Sequence, residues 1–247
     1  MKTLIHLLVI ALVSVSQTLM AQSKINVETF NKVVISPHIE TIFVQGSEES
    51  VTILDNKVSD DKVNIKSKNG TLHVYLEDAK LTTKQKKVKE NGKKMKVPVY
   101  QGTILKVKVI YKYIDNLSLR GEETTVCESP LNGSYFHLKI YGESQVTINE
   151  INIVDFDVDV YGESELTINK GVTNTQQVTA YGEGKITMTE VVNTTSKLKA
   201  YGEAEFRVNV SENIKFTAYG EAELYYKGKA EVNQGLSFGD SQIRRID

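Results

Sequence analysis

The chain has 247 residues, 40% of them hydrophobic, with a formal net charge of −1, three prolines, one cysteine and no tryptophan. That is enough apolar material to bury a core in one or two domains. The near-neutral balance argues against nucleic acid as a partner, because the usual footprint there is a basic face. Cys127, the only cysteine, leaves no internal disulfide and no thiolate metal cage, and reads as a small buried hydrophobe.

Residues 1–21 read as a targeting segment. Lys2 gives the positive end, Leu4 to Val15 the apolar stretch, and Ser16 to Ala21 the approach to a cut before Gln22. The chain is therefore expected to be exported, to the periplasm or the cell surface. Gln22 stands where a lipid-anchored lipoprotein would carry Cys. The apolar run is also short of the ~20 residues that span a bilayer, so the mature chain is expected to have no transmembrane segment.

Residues 22–115 form an N-terminal β region. Val63-Asn64-Ile65 and Leu72-His73-Val74-Tyr75-Leu76 flank Lys68-Asn69-Gly70-Thr71, and Asn-Gly between alternating runs predicts a tight hairpin. Gln45-Gly46-Ser47-Glu48 separates Ile39–Val44 from Val51–Leu54 in the same manner. Leu105, Val107, Val109 and Tyr111 mark one face of a further strand. An antiparallel or mixed layer is expected, covering the first rung of the C-terminal coil, since an open coil end would expose unpaired strand edges. Within this region Lys80–Lys96 holds eight lysines against the single acid Glu90. It predicts a projecting hairpin or solvated loop, with contact to anionic glycans, surface polymer or membrane headgroups as the functional alternative.

Residues 116–247 repeat. Tyr-Gly-Glu recurs at Tyr141, Tyr161, Tyr181, Tyr201 and Tyr219, in steps of 20, 20, 20 and 18 residues, with degenerate copies at Arg120-Gly121-Glu122 and Phe238-Gly239-Asp240. Such self-similarity predicts a solenoid whose units bury their apolar faces only by stacking. Apolar and polar residues alternate on both sides of each glycine, the period of half-buried strands, and no helical period competes. Three columns should form the core. One position before the Tyr stand Ile140, Val160, Ala180, Ala200 and Ala218; three before stand Leu138, Val158, Val178, Leu198 and Phe216; five after stand Val146, Leu166, Ile186, Phe206 and Leu224. The fold class is all-β, a β-helix with rungs of about 20 residues.

Equivalent residues of neighbouring rungs then form ladders. Tyr141, Tyr161, Tyr181, Tyr201 and Tyr219 should point outward and stack, either for their own contacts or as a platform for saccharides. Glu143, Glu163, Glu183, Glu203 and Glu221 form the adjacent ladder, read as a solvated stripe or a stripe of divalent cations. Asp155, Asp157 and Asp159 share one face of one strand. A calcium site is one reading, and opposite-charge pairing with His137 and Lys139 on the neighbouring rung is the simpler one.

Phe30-Asn31-Lys32-Val33 opening the fold, Val44-Gln45-Gly46 and Val51-Thr52-Ile53 after it, and then a Gly-punctuated β coil, together resemble the auto-transporter adhesin, head GIN domain family over roughly residues 30–235. The resemblance implies a right-handed β-helix with an N-terminal β region, and brings no catalytic residues with it. No barrel-forming segment comes after the coil, so self-export is not expected. Three functions stay open. The first is a non-catalytic envelope or surface protein acting by adhesion or scaffolding, with surface glycans or envelope proteins as partners. The second is a periplasmic protein-binding accessory of envelope signalling. The third is a β-helix polysaccharide lyase or hydrolase, which needs a convergent pair of carboxylates ~5 to 10 Å apart. No such pair stands out, and His38, His73 and His137 have no metal-ligand spacing, so no catalytic residue, metal site or cofactor is assigned.

Overall fold

A computed structural model describes residues 23–90 and 92–247; the targeting segment expected at 1–21 lies outside them. Apart from one 3-10 turn at Asp60–Lys62 the regular structure is strand. Among the described residues no helix is long and apolar enough to cross a membrane. The first strands are β1 (Ser23–Asn26), β2 (Lys32–Ile35), β3 (Ile39–Gln45), β4 (Ser50–Asn56), β5 (Val63–Lys68), β6 (Thr71–Leu76), β7 (Gln85–Glu90), β8 (Lys93–Pro98) and β9 (Leu105–Tyr111). Next come β10 (Asn116–Gly121) and β11 (Thr125–Cys127), then β12 (Leu131–Gly142) and β13 (Gln145–Ile148), β14 (Ile151–Gly162) and β15 (Glu165–Ile168). The chain ends with β16 (Gly171–Tyr181), β17 (Gly184–Tyr201), β18 (Ala204–Tyr219), β19 (Ala222–Lys227), β20 (Glu231–Phe238) and β21 (Ser241–Arg245).

The repeat is a β-solenoid. Each strand from β10 onward pairs in parallel with its equivalent one turn later, and the register places Tyr141, Tyr161, Tyr181, Tyr201 and Tyr219 directly over one another. The 18-residue step does not break this ladder. Between β17 and β18 the register shifts between Met188 and Val192 and again between Asn193 and Thr195, so the two missing residues are absorbed away from the Tyr-Gly-Glu corner.

The parallel stack continues below the first glycine corner. Strands β2 and β3 lie under β10 and β11, and β6 and β9 lie under β2 and β3, all in parallel. Antiparallel strands then finish the base: β5 on β6, β4 on β9, and β1 on β4. The Asn69-Gly70 hairpin forms as expected, Lys68 facing Thr71 across two residues of positive φ. The Gly46 turn does not close a hairpin, because β9 pairs with β3 on one edge and β4 on the other. The inward face of β9, Leu105, Val107 and Val109, is fully buried and takes a strand on both sides, and the Gly46 N–H crosses the end of β9 to the Tyr111 carbonyl at 2.9 Å.

All fifteen residues of the three expected columns are at most 1% exposed. Side-chain volume shifts between columns along the axis. As the first column shrinks from Ile140 to Ala218, the others gain Phe206 and Phe216, which meet edge to face at 6.2 Å, as close packing requires. One inward column outside the three changes character: Phe136, Phe156, Gln176, Ser196 and Ile214 stack in register. There the Gln176 amide donates to Ser196 Oγ, and Asn193 Nδ2 donates to the same oxygen at 2.9 Å.

The lysine run is a hairpin. Strands β7 and β8 form a two-stranded antiparallel sheet separate from the main one, carried on the excursion that replaces the corner between β6 and β9.

Candidate functional site

The Tyr-Gly-Glu corner is dictated by close approach of successive backbones. Gly162 has φ +108°, and a Cβ there would overlap the carbonyl oxygen of Gly142 one rung below. That oxygen instead accepts the Glu163 N–H and the Ser164 hydroxyl, each at 2.9 Å. With the glycines fixed in line, the residues on either side must line up too.

The tyrosine rings stack face to face with centroids 4.8, 4.8, 5.0 and 5.1 Å apart and planes within 6°. The Arg120 guanidinium covers the lower ring at 4.3 Å and Phe238 continues the stack at 5.7 Å, so the degenerate repeats cap the ladder. Tyr181 and Tyr201 remain 40% and 39% exposed, through ring edges and hydroxyls, since each face is taken by a neighbouring ring. What the edge offers a ligand is therefore a row of phenol groups rather than flat ring faces. Burial, with smaller contributions from Asp159 and the flanking phenols of Tyr141 and Tyr181, raises the Tyr161 phenol above its ordinary value, keeping it uncharged at neutral pH.

Beside the phenols runs a row of carboxylates, Glu143, Glu163, Glu183, Glu203 and Glu221, extended by Asp240. Among the described residues none of these six forms an ion pair. Like charges at the ~4.8 Å rung spacing repel by ~0.9 kcal/mol in water, similar to the ~0.5 to 1.5 kcal/mol of an aromatic stack and opposite in sign. The upper part of this row is one wall of a groove of about 490 Å³ running along the axis. Its floor is the column of small residues Ser164, Gly184, Ala204 and Ala222, and Glu165, Glu205 and Glu223 stand on the far wall. These second-wall acids are partly neutralised: Glu165 faces Lys185 at 3.4 Å, Glu205 faces Arg207 at 2.7 Å, and Glu223 accepts the Tyr225 hydroxyl at 2.8 Å. The sequence signal for this groove is Glu-x-Glu at 163–165, 203–205 and 221–223, and reading the first glutamate alone misses it.

On another face a polar groove carries Tyr135, Asp155 and Asp157 at one end and Lys197 and Lys215 at the other. The expected register of His137 on Asp157 and Lys139 on Asp159 is present, yet the bonds run diagonally. His137 Nε2 meets Asp159 at 2.8 Å, while Asp157 accepts the Tyr135 hydroxyl at 3.1 Å and Asp155 accepts from Thr175. All three aspartates are thus occupied by cross-rung hydrogen bonds.

Among the described residues no group of three or more His, Cys, Asp or Glu side chains is gathered closely enough to hold a metal ion. The pair Ser36 and His73, 2.9 Å apart, is not an accessible nucleophile and base: Ser36 is fully buried and its hydroxyl donates to the Lys80 carbonyl at 2.6 Å. Cys127 is fully buried as expected, and burial pushes its thiol up to about 12.

The family model described as "Putative auto-transporter adhesin, head GIN domain" matches residues 29–230. No curated protein matches the chain. Among solved structures, that of a putative adhesin from Bacteroides fragilis is similar with a TM-score of 0.73 at 17% identity, over 91% of this chain and 96% of the other. A putative adhesin from Parabacteroides merdae gives 0.64 at 18%, over 91% and 95%. A putative lipid binding protein from Parabacteroides distasonis gives 0.61 at 15%, over 92% and 96%. At such identities the likeness is one of fold.

Proposed function

The chain belongs to the auto-transporter adhesin, head GIN domain family, and from that premise we propose that it is an exported, non-catalytic envelope or surface protein acting by adhesion or scaffolding. The observation that carries this reading is the unbroken edge of stacked phenols and aligned carboxylates from Tyr141 to Phe238. A straight edge repeating one chemical unit per rung suits many weak contacts made together, where avidity exceeds any single affinity. Catalysis is organised differently, around one convergent acid and base, and the aspartates that came nearest to such a set are each taken by a different neighbour, Asp155 by Thr175, Asp157 by Tyr135 and Asp159 by His137. The targeting segment at residues 1–21 supports export, and the fold relatives named as adhesins support a role at the surface.

Protease shaving of intact producing cells, followed by blotting for the chain, tests this. Cleavage on intact cells is the expected outcome. Protection until the outer membrane is opened would overturn host adhesion and favour a periplasmic partner.

A further inference from the structure

The hairpin β7–β8 is chemically unlike the rest of the molecule. Its register sets Lys87 opposite Lys96 and Lys89 opposite Lys94 on one face, an arrangement that like-charge repulsion disfavours. Among the described residues no lysine between 86 and 96 forms an ion pair; the nearest that does is Lys84, on Asp78 at 2.8 Å. A two-stranded sheet with no third strand is also marginal by itself. Both properties point to an anionic surface outside the molecule's own coil as the hairpin's resting place.

The same chain carries a surface of the complementary kind. The upper groove has an uncompensated wall of Glu163, Glu183, Glu203, Glu221 and Asp240 over a floor of small side chains. The lengths agree. Six strand residues at steps of ~3.4 Å span ~17 Å, and five acids one rung apart at ~4.8 Å span ~19 Å. We propose that the lysine hairpin of one molecule docks along the acid-walled groove of a second copy of this chain. The excursion bearing the hairpin replaces the corner of the lowest rung, at the same edge as the Tyr-Gly-Glu corners: His38 at the corner above it bonds Gly102 and Thr83 of that excursion. Basic element and acidic groove therefore lie on one edge, at opposite ends. Two copies side by side and antiparallel can exchange hairpins and close a dimer; head-to-tail copies make an open chain. The near-neutral net charge of −1 conceals this segregation. The inference deepens the scaffolding part of the proposed function by naming the partner, and it is tested without cells, so its failure leaves the shaving result standing.

Sedimentation velocity of the purified protein across a concentration series at 20 mM and 500 mM NaCl is the experiment. At low salt the mass should rise above that of the monomer with concentration, and at high salt it should return to the monomer, as screening of exposed charge requires. Reversing the hairpin (K87E, K89E, K94E, K96E) or the groove (E163K, E183K, E203K, E221K) should each lower the association constant about tenfold or more. Mixing the two reversed proteins should restore association as a discrete one-to-one complex, and a mixture that only aggregates without stoichiometry counts against the proposal. Groove-neutralised protein (E163Q, E183Q, E203Q, E221Q) serves if the lysine substitutions unfold the coil. A monomer under every condition, or association that ignores the hairpin reversal, overturns the proposal; so does binding of the hairpin to anionic vesicles or heparin without self-association.

Discussion

The corners of the repeated rungs and the corner of the rung beneath them solve one problem by different means. In the repeat, each turn is a glycine resting on the glycine below, Gly182 coming so close to the Gly162 carbonyl that a Cβ would lie 2.8 Å from it. Beneath Gly121 the corner is instead Ser36-Pro37-His38, and His38 takes the left-handed conformation at φ 71°. A non-glycine residue takes that conformation only uncommonly, and here side-chain bonds hold it. The ring nitrogens of His38 bond the Gly102 carbonyl at 2.8 Å and Thr83 at 2.6 Å, and its N–H donates to Glu123 at 2.9 Å. Glu123 fills the ladder position of Ser144 and Ser164, and its carboxylate also accepts the Glu122 N–H at 3.0 Å. A corner that repeats can rely on backbone geometry alone; the one joining unlike rungs needs a buried side-chain acceptor.

The sharpest way to break the repeated corner is Gly162→Ala. The added methyl collides with backbone rather than with a movable side chain, and the positive φ adds strain, so a loss of ~3 kcal/mol or more is expected, read from urea unfolding midpoints. A loss within a few tenths would show that the stack adjusts freely and that the glycine ladder is not what sets the rung spacing.

The lower corner should respond most strongly to Glu123. Glu123→Ala leaves two partly buried N–H groups without their acceptor, a cost of ~1 to 3 kcal/mol. Charge and hydrogen bonding separate through pH. Burial is the main influence on this carboxyl and raises it above the ordinary value of 4.5, despite the opposing N–H bonds. With the folded-state value above the unfolded one, its contribution is fully present below about pH 4.5 and is lost as pH rises through the raised value. Glu123→Gln keeps an acceptor and removes the charge, so the variant should gain on the parent as pH rises from 4.5 to 7. A difference in midpoint that is flat with pH would show that the carboxylate is not desolvated as the packing indicates.

These two corners also mark where the sequence could be read. Each core column of the repeat is sampled five times, so Ala180 or Phe206 is recognised by its place even where its size departs from its neighbours. The phenol stack comes from the same count. Strands β2, β3, β6 and β9 are parallel rungs as well, but they occur without a repeated corner, and they stack out of chain order. Alternation reveals that Leu105, Val107 and Val109 share a buried face, and it carries no record of which strand lies beside them. Gln176 and Ser196 escaped for a related reason: they fall in the column of Phe136 and Phe156, outside the three columns fixed relative to the tyrosines. The diagonal bond of His137 to Asp159, beside that of Tyr135 to Asp157, is a choice among side-chain orientations that spacing does not encode.

Within the repeat, Tyr181→Ala probes the ladder itself. Tyr181 stacks on Tyr161 and Tyr201 at 4.8 and 5.0 Å, and losing two stacks of ~0.5 to 1.5 kcal/mol each predicts a loss of ~1 to 3 kcal/mol. At the upper end the contacts loosen: Tyr219 has Tyr201 at 5.1 Å and Phe238 at 5.7 Å, the latter tilted by 18°. Tyr219→Ala should therefore cost less than the same substitution at Tyr181, and equal costs would show that the rings contribute by burial alone.

The smallest effect should come from Glu183→Gln, and its sign is what matters. Glu183 stands between Glu163 and Glu203 on adjacent rungs, so neutralising it removes two repulsions and should raise the unfolding midpoint slightly at 20 mM salt. Screening shortens the reach of these charges to a few ångströms at 0.5 M, and the gain should vanish there. A lowered midpoint that depends on millimolar calcium and disappears with chelator would mean the opposite, that the carboxylates share a cation whose binding stabilises the folded coil. Glutamate persists beside every tyrosine although repulsion between rungs offsets much of the aromatic contribution. A gain in stability on its removal would therefore show that the row is maintained for what it contacts rather than for what it holds together.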